Sequence, residues 1–211
     1  MKNIEILYED EFSLIINKPA GLAVQGGEGV KNSLDKLIKP ALLVHRLDKD
    51  TSGVILAAKG SEAAARFSRI FSSDRRIVKI YTAVCSIGKG SELLEKREGV
   101  ISDDLKIRGN LKKSKTKYKV IKTGVLEPGG EFAVLELELG TGRMHQIRRH
   151  LAMKGNPILG DDKYGDFSLN KKLKKEEGLK RMLLHASRII IKDEFNIDIS
   201  APLPEYFHKY A

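Results

Sequence analysis

Strand-like patterns follow one another directly along this chain, and that order limits the folds open to it more than any other feature. IEILY and FSLIIN flank an acidic EDE turn, and LLVHRLD, GVILAAK, IVKIYTAVC, TKYKVIKTG, EFAVLELEL, MLLHASRIIIK and FNIDISAPLP come after them. β-Branched and aromatic residues are frequent in these runs and suit a pleated, half-buried surface. In EFAVLELEL, Ala133, Leu135, Leu137 and Leu139 alternate with Val134, Glu136 and Glu138, the two-residue period of a strand with one buried face. Helical spacing is scarcer. Ala63, Phe67, Ile70 and Phe71 predict an amphipathic helix over 62–71 with Ser61 as its N-cap. A second helix is predicted over 143–154, stopped by Gly155 and Pro157, and a short one over 31–38. Residues 86–116 read as loops and a short hairpin, and 170–181 as a charged insert. Without regular β–α–β alternation, the class is α+β on a largely antiparallel sheet.

Charge narrows the partners. The 211 residues carry 38 Lys and Arg against 28 Asp and Glu, a formal net charge of +10. Such an excess suits a polyanion, and nucleic acid is the default candidate. With one cysteine, Cys85, no intramolecular disulfide framework exists, which fits a reducing cytoplasm. The first residues carry acids and no continuous apolar core, unlike a signal peptide. No apolar run approaches the roughly 20 residues that cross a bilayer as a helix.

Two segments raise a question of charge. In LLVHRLDKDTSGVIL, residues 42–56, Arg46 and Asp48 lie between apolar runs, where charges are costly unless partnered. If the strand continues, they share a face; Asp50, beside Thr51-Ser52-Gly53, is the competing carboxylate, with turn capping as its other job. In the helix after GTG, Met144, Ile147 and Leu151 form an apolar stripe. Arg148 lies about 40° from Met144 on the wheel, whereas Arg149 points about 140° away. Arg148 therefore either leans inward, wanting a carboxylate such as Asp48, or snorkels to solvent. Tyr81 shares a strand face with Ala83 and Cys85, small neighbours that leave room over its ring. The segment 106–122 contains eight Lys or Arg and no acid, and Lys171, Lys172, Lys174 and Lys175 form another basic run. Thr141-Gly142-Arg143 at a helix start offers backbone N–H groups and a guanidinium to phosphate. Together these suggest a phosphate-lined groove.

Cofactor motifs are poorly matched. Gly26-Gly27-Glu28-Gly29 lacks the Lys-Ser/Thr of a P-loop and the spacing of a dinucleotide fold. His145 and His150 fall about 140° apart on a helix and do not chelate one zinc. No serine has a nucleophile-elbow context. Neither a metal nor an organic cofactor is expected.

HRLDKDTSG at 45–53 resembles the signature of the RluA family of pseudouridine synthases. Lys18-Pro19-Ala20-Gly21 is similar to that family's early KPxG turn, KIYTAV to its tyrosine strand, GTGRMHQIRRHLAMKGNPILGDDKYG at 140–165 to its third motif, and LLHA at 183–186 to its late one. The resemblance implies a pseudouridine synthase fold: a central mixed, mostly antiparallel sheet in two lobes flanked by helices, with a catalytic cleft. It implies isomerisation of uridine to pseudouridine in RNA without a cofactor. Asp48 would be the essential carboxylate, either attacking C1′ or abstracting the 2′ hydrogen. Arg148 would hold it by a salt bridge, and Tyr81 would pack on uracil and help remove the C5 proton. Arg46 would fill the space of the flipped nucleotide, with Arg143, Lys18 and His145 also at the RNA interface. The GG of AVQGGEG and the DDKYGDFSLNKKLKK stretch resemble the RluC-like branch, which modifies large-subunit (23S) ribosomal RNA. That branch usually carries an N-terminal S4 domain, whereas residues 1–211 read as the catalytic domain alone. The expectation is a cytoplasmic monomer acting on ribosomal RNA, with transfer RNA as the alternative substrate. Two competing readings are a non-catalytic RNA-binding factor in ribosome assembly, and a glycosidic hydrolase using Asp48 with Asp50.

Overall fold

Strands dominate the computed structural model, which describes residues 4–27, 29–72, 77–107, 110–139, 142–192 and 195–211, with 104–107 and 110–113 by backbone alone. The strands are β1 (Glu5–Glu9), β2 (Ser13–Lys18), β3 (Leu42–Leu43), β4 (Ser52–Ala58), β5 (Ile77–Ile87), β6 (Glu98–Ile107), β7 (Asn110–Val125), β8 (Glu131–Leu139), β9 (Leu184–Ile191) and β10 (Ile197–Ser200). The helices are α1 (Leu34–Leu37), α2 (Ser61–Ser72), α3 (Glu92–Lys96), α4 (Gln146–Met153) and α5 (Phe167–Glu176). The class is α+β, as the strand order predicts. No described helix is long and apolar enough to cross a membrane.

Two compact units divide the chain. The first comprises Met1–Lys79 with His185–Leu203, the second Ile80–Leu184 with Pro204–Ala211. In the first unit the strands run β1-β2-β4-β9, with β10 on β9 and β3 on β4. β4 and β9 pair in parallel and the rest antiparallel. β4 is buried along its whole length, which its unbroken run of small and apolar residues permits. The predicted helix over 62–71 is α2, and it lays Ala63, Phe67 and Ile70 into a core with Ile15, Val54, Leu56, Ile77, Ile189, Ile191 and Ile197. Each such large aliphatic or aromatic side chain contributes about 1.5–3 kcal/mol on burial. The carbonyl of Gly60 accepts from the Ala64 amide, so Gly60 precedes the first turn and Ser61 begins it.

The second unit is antiparallel in the order β5-β8-β7-β6. Here the structure extends the loops and short hairpin expected over 86–116. β6 and β7 form one long hairpin paired from Glu98↔Lys119 to Ile107↔Asn110. Its polar composition hides a two-residue period: Ser114, Thr116, Tyr118 and Val120 are buried while Lys115, Lys117 and Lys119 are exposed. The charged insert also orders. α5 is capped by Asp166, whose carboxylate accepts from the Leu169 amide at 2.9 Å, and it buries Leu173.

Candidate active site

The segment 42–56, with its charges between apolar runs, is loop over much of its length. Before β4, only Leu42–Leu43 pair as strand, against Ala58 and Ala57. The ladder ends because His45 substitutes a side chain for a carbonyl: the Leu56 amide donates to His45 Nε2 at 2.9 Å. The ring stacks on Phe71 at 4.3 Å between centroids. Burial, with the Lys79 charge adding, pushes the His45 pKa down to about 3, so the ring is a neutral acceptor at neutral pH.

Beyond His45, the exposed Arg46 and half-buried Asp48 lie on a loop pinned from below. Lys18 is fully buried and its ammonium donates to the carbonyls of Pro19, Leu22 and Lys49, each at 3.0 Å. The Lys49 carbonyl also accepts from the Gly21 amide at 2.8 Å. The KPAG turn and the HRLDKD loop are thus joined at one carbonyl. Burial draws the Lys18 pKa down to about 8, against the opposing pull of Asp50 and then Asp48. Lys18, expected at the RNA interface, has given its three N–H bonds to backbone carbonyls; it organises the loop from beneath.

The far end of the loop is held differently. The Thr51 amide donates to the Asp48 carbonyl at 3.2 Å, closing the turn before Ser52 enters β4. Ser52 and Gly53 are therefore strand, not turn as the sequence suggested. Gly53 has φ +108°, and a Cβ there would lie 2.1 Å from the Ala186 carbonyl oxygen, so only glycine fits. Ser52 Oγ meets His185 Nδ1 at 2.9 Å. Burial pushes the His185 pKa down to about 4. The LLHA motif therefore supports the Asp48 loop through backbone packing and a buried histidine.

In the second unit, α4 begins three residues later than predicted. His145 adopts the left-handed conformation, φ 54°, immediately before it. That turn takes Met144 off the helical wheel and leaves it exposed, while Ile147 and Leu151 are buried as predicted. Gly142 and Arg143 accordingly lie in a loop before the helix; Thr141 falls outside the described residues. The Arg143 amide donates to Gln146 Oε1 at 3.1 Å, and Arg143 Nε is buried with no hydrogen-bond partner among the described residues. His145 Nδ1 lies 3.2 Å from the Tyr164 hydroxyl.

Arg148 resolves toward the interior, 5% exposed. Asp161 grips it in a bidentate pair, Nε to Oδ2 at 2.7 Å and Nη2 to Oδ1 at 2.8 Å, and Asp162 accepts from Nη2 at 3.3 Å. The Tyr164 ring lies 5.3 Å from the guanidinium carbon. Burial opposes the charge on Asp161, but Arg148 and the Tyr164 and Lys163 amides outweigh it and hold the carboxyl below its ordinary pKa. Sequence reasoning missed Asp161. Its signal was the Asp-Asp pair between Gly160 and Gly165, both too close to backbone carbonyls to carry a Cβ. Such a short carboxylate can close a turn on its own downstream amides, as Asp161 does with Lys163 and Tyr164.

The helix is tied to the hairpin by a second buried carboxylate. Asp103 accepts from Ser114 Oγ, meets His150 Nε2 at 3.0 Å and pairs with Arg149 Nη2 at 3.0 Å. His150 Nδ1 lies 2.9 Å from Thr116 Oγ1, which also accepts from Gln146 Nε2 at 3.1 Å. Burial opposes the Asp103 charge, yet these partners hold its pKa low. Tyr81 sits on β5 opposite Leu137, 8% exposed, and shares its face with the fully buried Ala83 and Cys85. Of the basic segment 106–122, residues 108 and 109 and the side chains of 106–113 lie outside the described residues. Lys117 is paired with Glu138 at 2.8 Å. Among the described residues no group of three or more His, Cys, Asp or Glu is placed to hold a metal ion.

Known proteins resemble this chain over most of its length. The family model for RNA pseudouridylate synthase matches residues 13–153. The ribosomal large subunit pseudouridine synthase C of Rickettsia prowazekii (strain Madrid E) is 35% identical, over 96% of this chain and 69% of its own. That of Vibrio vulnificus (strain CMCP6) is 33% identical, over 97% and 67%. Among solved structures, human RNA pseudouridylate synthase domain containing 4 superposes with a TM-score of 0.77 at 27% identity, covering 96% of this chain and 90% of that one. Human RNA pseudouridylate synthase domain containing 1 superposes with a TM-score of 0.75 at 26% identity, over 96% and 84%. The chain belongs to the RNA pseudouridylate synthase family and is an RNA uridine-to-pseudouridine isomerase.

Proposed function

We propose that this enzyme modifies uridines of large-subunit ribosomal RNA and that Asp48 is its reacting carboxylate. The observation that carries the assignment is the construction around Asp48: a half-buried carboxylate on a loop clamped by Lys18 and Gly21 at one end and by Gly53 against Ala186 at the other. Such support holds a reacting group in place on rigid elements. The relatives' names support the ribosomal target.

In the reaction the N1–C1′ bond breaks, the uracil turns, and C5 bonds to C1′. The C5 proton leaves and N1 takes one up, so the product is an isomer. Asp48 acts at the ribose, at C1′ or its 2′ neighbour. Tyr81 meets the uracil ring and assists loss of the C5 proton. Arg148 is the salt-bridge partner proposed for Asp48. Arg46, exposed on the same loop as Asp48, occupies the place of the flipped nucleotide, which costs roughly a few kcal/mol to extrude. Arg143 and His145 contact the RNA. The enzyme works as a cytoplasmic monomer.

The test maps pseudouridine across total RNA from cells with and without the protein, and with Asp48→Asn. We expect sites in large-subunit ribosomal RNA that vanish in both the deletion and the variant. Sites confined to transfer RNA would redirect the substrate assignment, and full modification by Asp48→Asn would refute the carboxylate. Because Asp48 and Arg148 come from different motifs, a double-mutant cycle on the rate tests their pairing.

A further inference from the structure

The two basic runs differ in one respect that the reaction does not use. α5 carries its lysines around an exposed aromatic ring. Phe167 is 64% exposed at the first position of the helix. At about 100° per residue, Lys171 lies about 40° from Phe167 and Lys174 about 20° on its other side. The core-facing Leu169 and Leu173 lie near 200° and 240° on the same wheel. Burial agrees: Leu173 is fully buried, whereas Lys171, Lys172, Lys174 and Lys175 are exposed. The first turn has no acid. None of these four lysines forms a salt bridge among the described residues, in contrast to Lys117 with its Glu138 partner.

Single exposed apolar residues are ordinary on protein surfaces. Phe167 differs in having cations at i+4 and i+7 on its own face. An aromatic ring beside lysines is the arrangement that binds single-stranded nucleic acid: the ring stacks on any base and the ammonium groups meet phosphates. Charge complementarity selects the occupant, since the face is basic, the chain is +10 and its substrate is RNA.

We propose that the Phe167–Lys171–Lys174 face of α5 is an accessory site for single-stranded RNA outside the reacting uridine, with one base stacked on Phe167. The site rests on the reading that the enzyme acts on RNA, and it favours substrates that offer an unpaired base. Unpaired nucleotides are held by α5; a continuous duplex offers Phe167 no free base face.

Oligoadenylate is the probe, because it has no uridine to react. Phe167→Ala should weaken its binding about 5- to 160-fold. Lys171→Ala with Lys174→Ala should flatten the slope of log affinity against log salt by roughly 1.4, about 0.7 for each phosphate no longer neutralised. The chain has no tryptophan, so Phe167→Trp supplies a single fluorophore, whose emission should quench when oligoadenylate stacks on it. Val125→Ala, at another exposed apolar residue, should bind as wild type does. Binding by Phe167→Ala within twofold of wild type, unchanged tryptophan emission, or equal affinity for a duplex of the same length would overturn the proposal. Wild-type enzyme that forms no pseudouridine in any RNA would instead defeat the reading of function, a result independent of oligoadenylate binding.

Discussion

The two units bury polar groups in different states. In the first unit, His45 and His185 are held neutral, and the Lys18 ammonium is surrounded by carbonyls. Their partners are mostly backbone: the Leu56 amide, the Ala201 carbonyl, the carbonyls of Pro19, Leu22 and Lys49. In the second unit, beside the buried His150, Gln146 and Thr116, two carboxylates hold guanidiniums, Asp161 on Arg148 and Asp103 on Arg149. The difference follows from what each unit supports. A loop carrying Asp48 is shaped by fixing its backbone, which the neutral His45 and the carbonyl-bound Lys18 ammonium both do. An arginine on a helix is fixed only by a carboxylate fork that matches its geometry.

The largest effect should come from breaking the fork. Asp161→Ala leaves Arg148 buried without its bidentate partner and should cost about 3–5 kcal/mol of stability. Denaturant unfolding measures it, and a loss no larger than that of a surface pair would show that Arg148 relaxes to solvent.

Acid should separate the two units next. The folded first unit keeps His45 and His185 neutral, whereas the unfolded chain protonates histidine near 6.5, so unfolding takes up protons below that pH. Stability present at pH 7 should therefore fall as pH drops from 6.5 toward 4 and 3, by about 2 kcal/mol per histidine at pH 5. Asp161 and Asp103 have lowered values, so their contribution persists until the pH drops below the ordinary carboxylate range. Hydrogen exchange at pH 7 and pH 5, corrected for intrinsic rates, should show β4 amides losing protection before those of β8. Equal losses would erase the contrast.

The smallest of the three concerns Lys18. Lys18→Met removes a buried cation along with its three hydrogen bonds, and the Lys49 carbonyl keeps the Gly21 amide. The cost should be about 1–2 kcal/mol in thermal unfolding, less than for Asp161→Ala. The turnover rate should fall further than stability does, because the loop carrying Asp48 loses its anchor. A rate loss no larger than the unfolded fraction explains would limit Lys18 to stability.

What the chain made legible by itself was periodic or contiguous. Strand alternation in 131–139 and the 62–71 helix were visible because side-chain direction follows from local geometry, whereas the wheel left Arg148 open between core and solvent and its burial decided it. The HRLDKDTSG and GRMHQIRRH stretches carried the family likeness for a similar reason, since each is a contiguous run of residues. Only the tertiary structure decided the rest. Asp161 became the grip on Arg148 because a glycine-bounded turn returns the chain to the helix; no pattern ties positions 148 and 161. Lys18 moved from an expected RNA contact to the floor of the Asp48 loop because the carbonyls of Pro19 and Leu22 in its own turn and of the distant Lys49 converge on it. The hairpin is longer than the short one expected because its polar composition masked its period, and pairing of β6 with β7 made the stretch before Thr116 strand. Residue types and spacing are local properties of a chain; which carbonyl, carboxylate or strand lies opposite is a property of its closure.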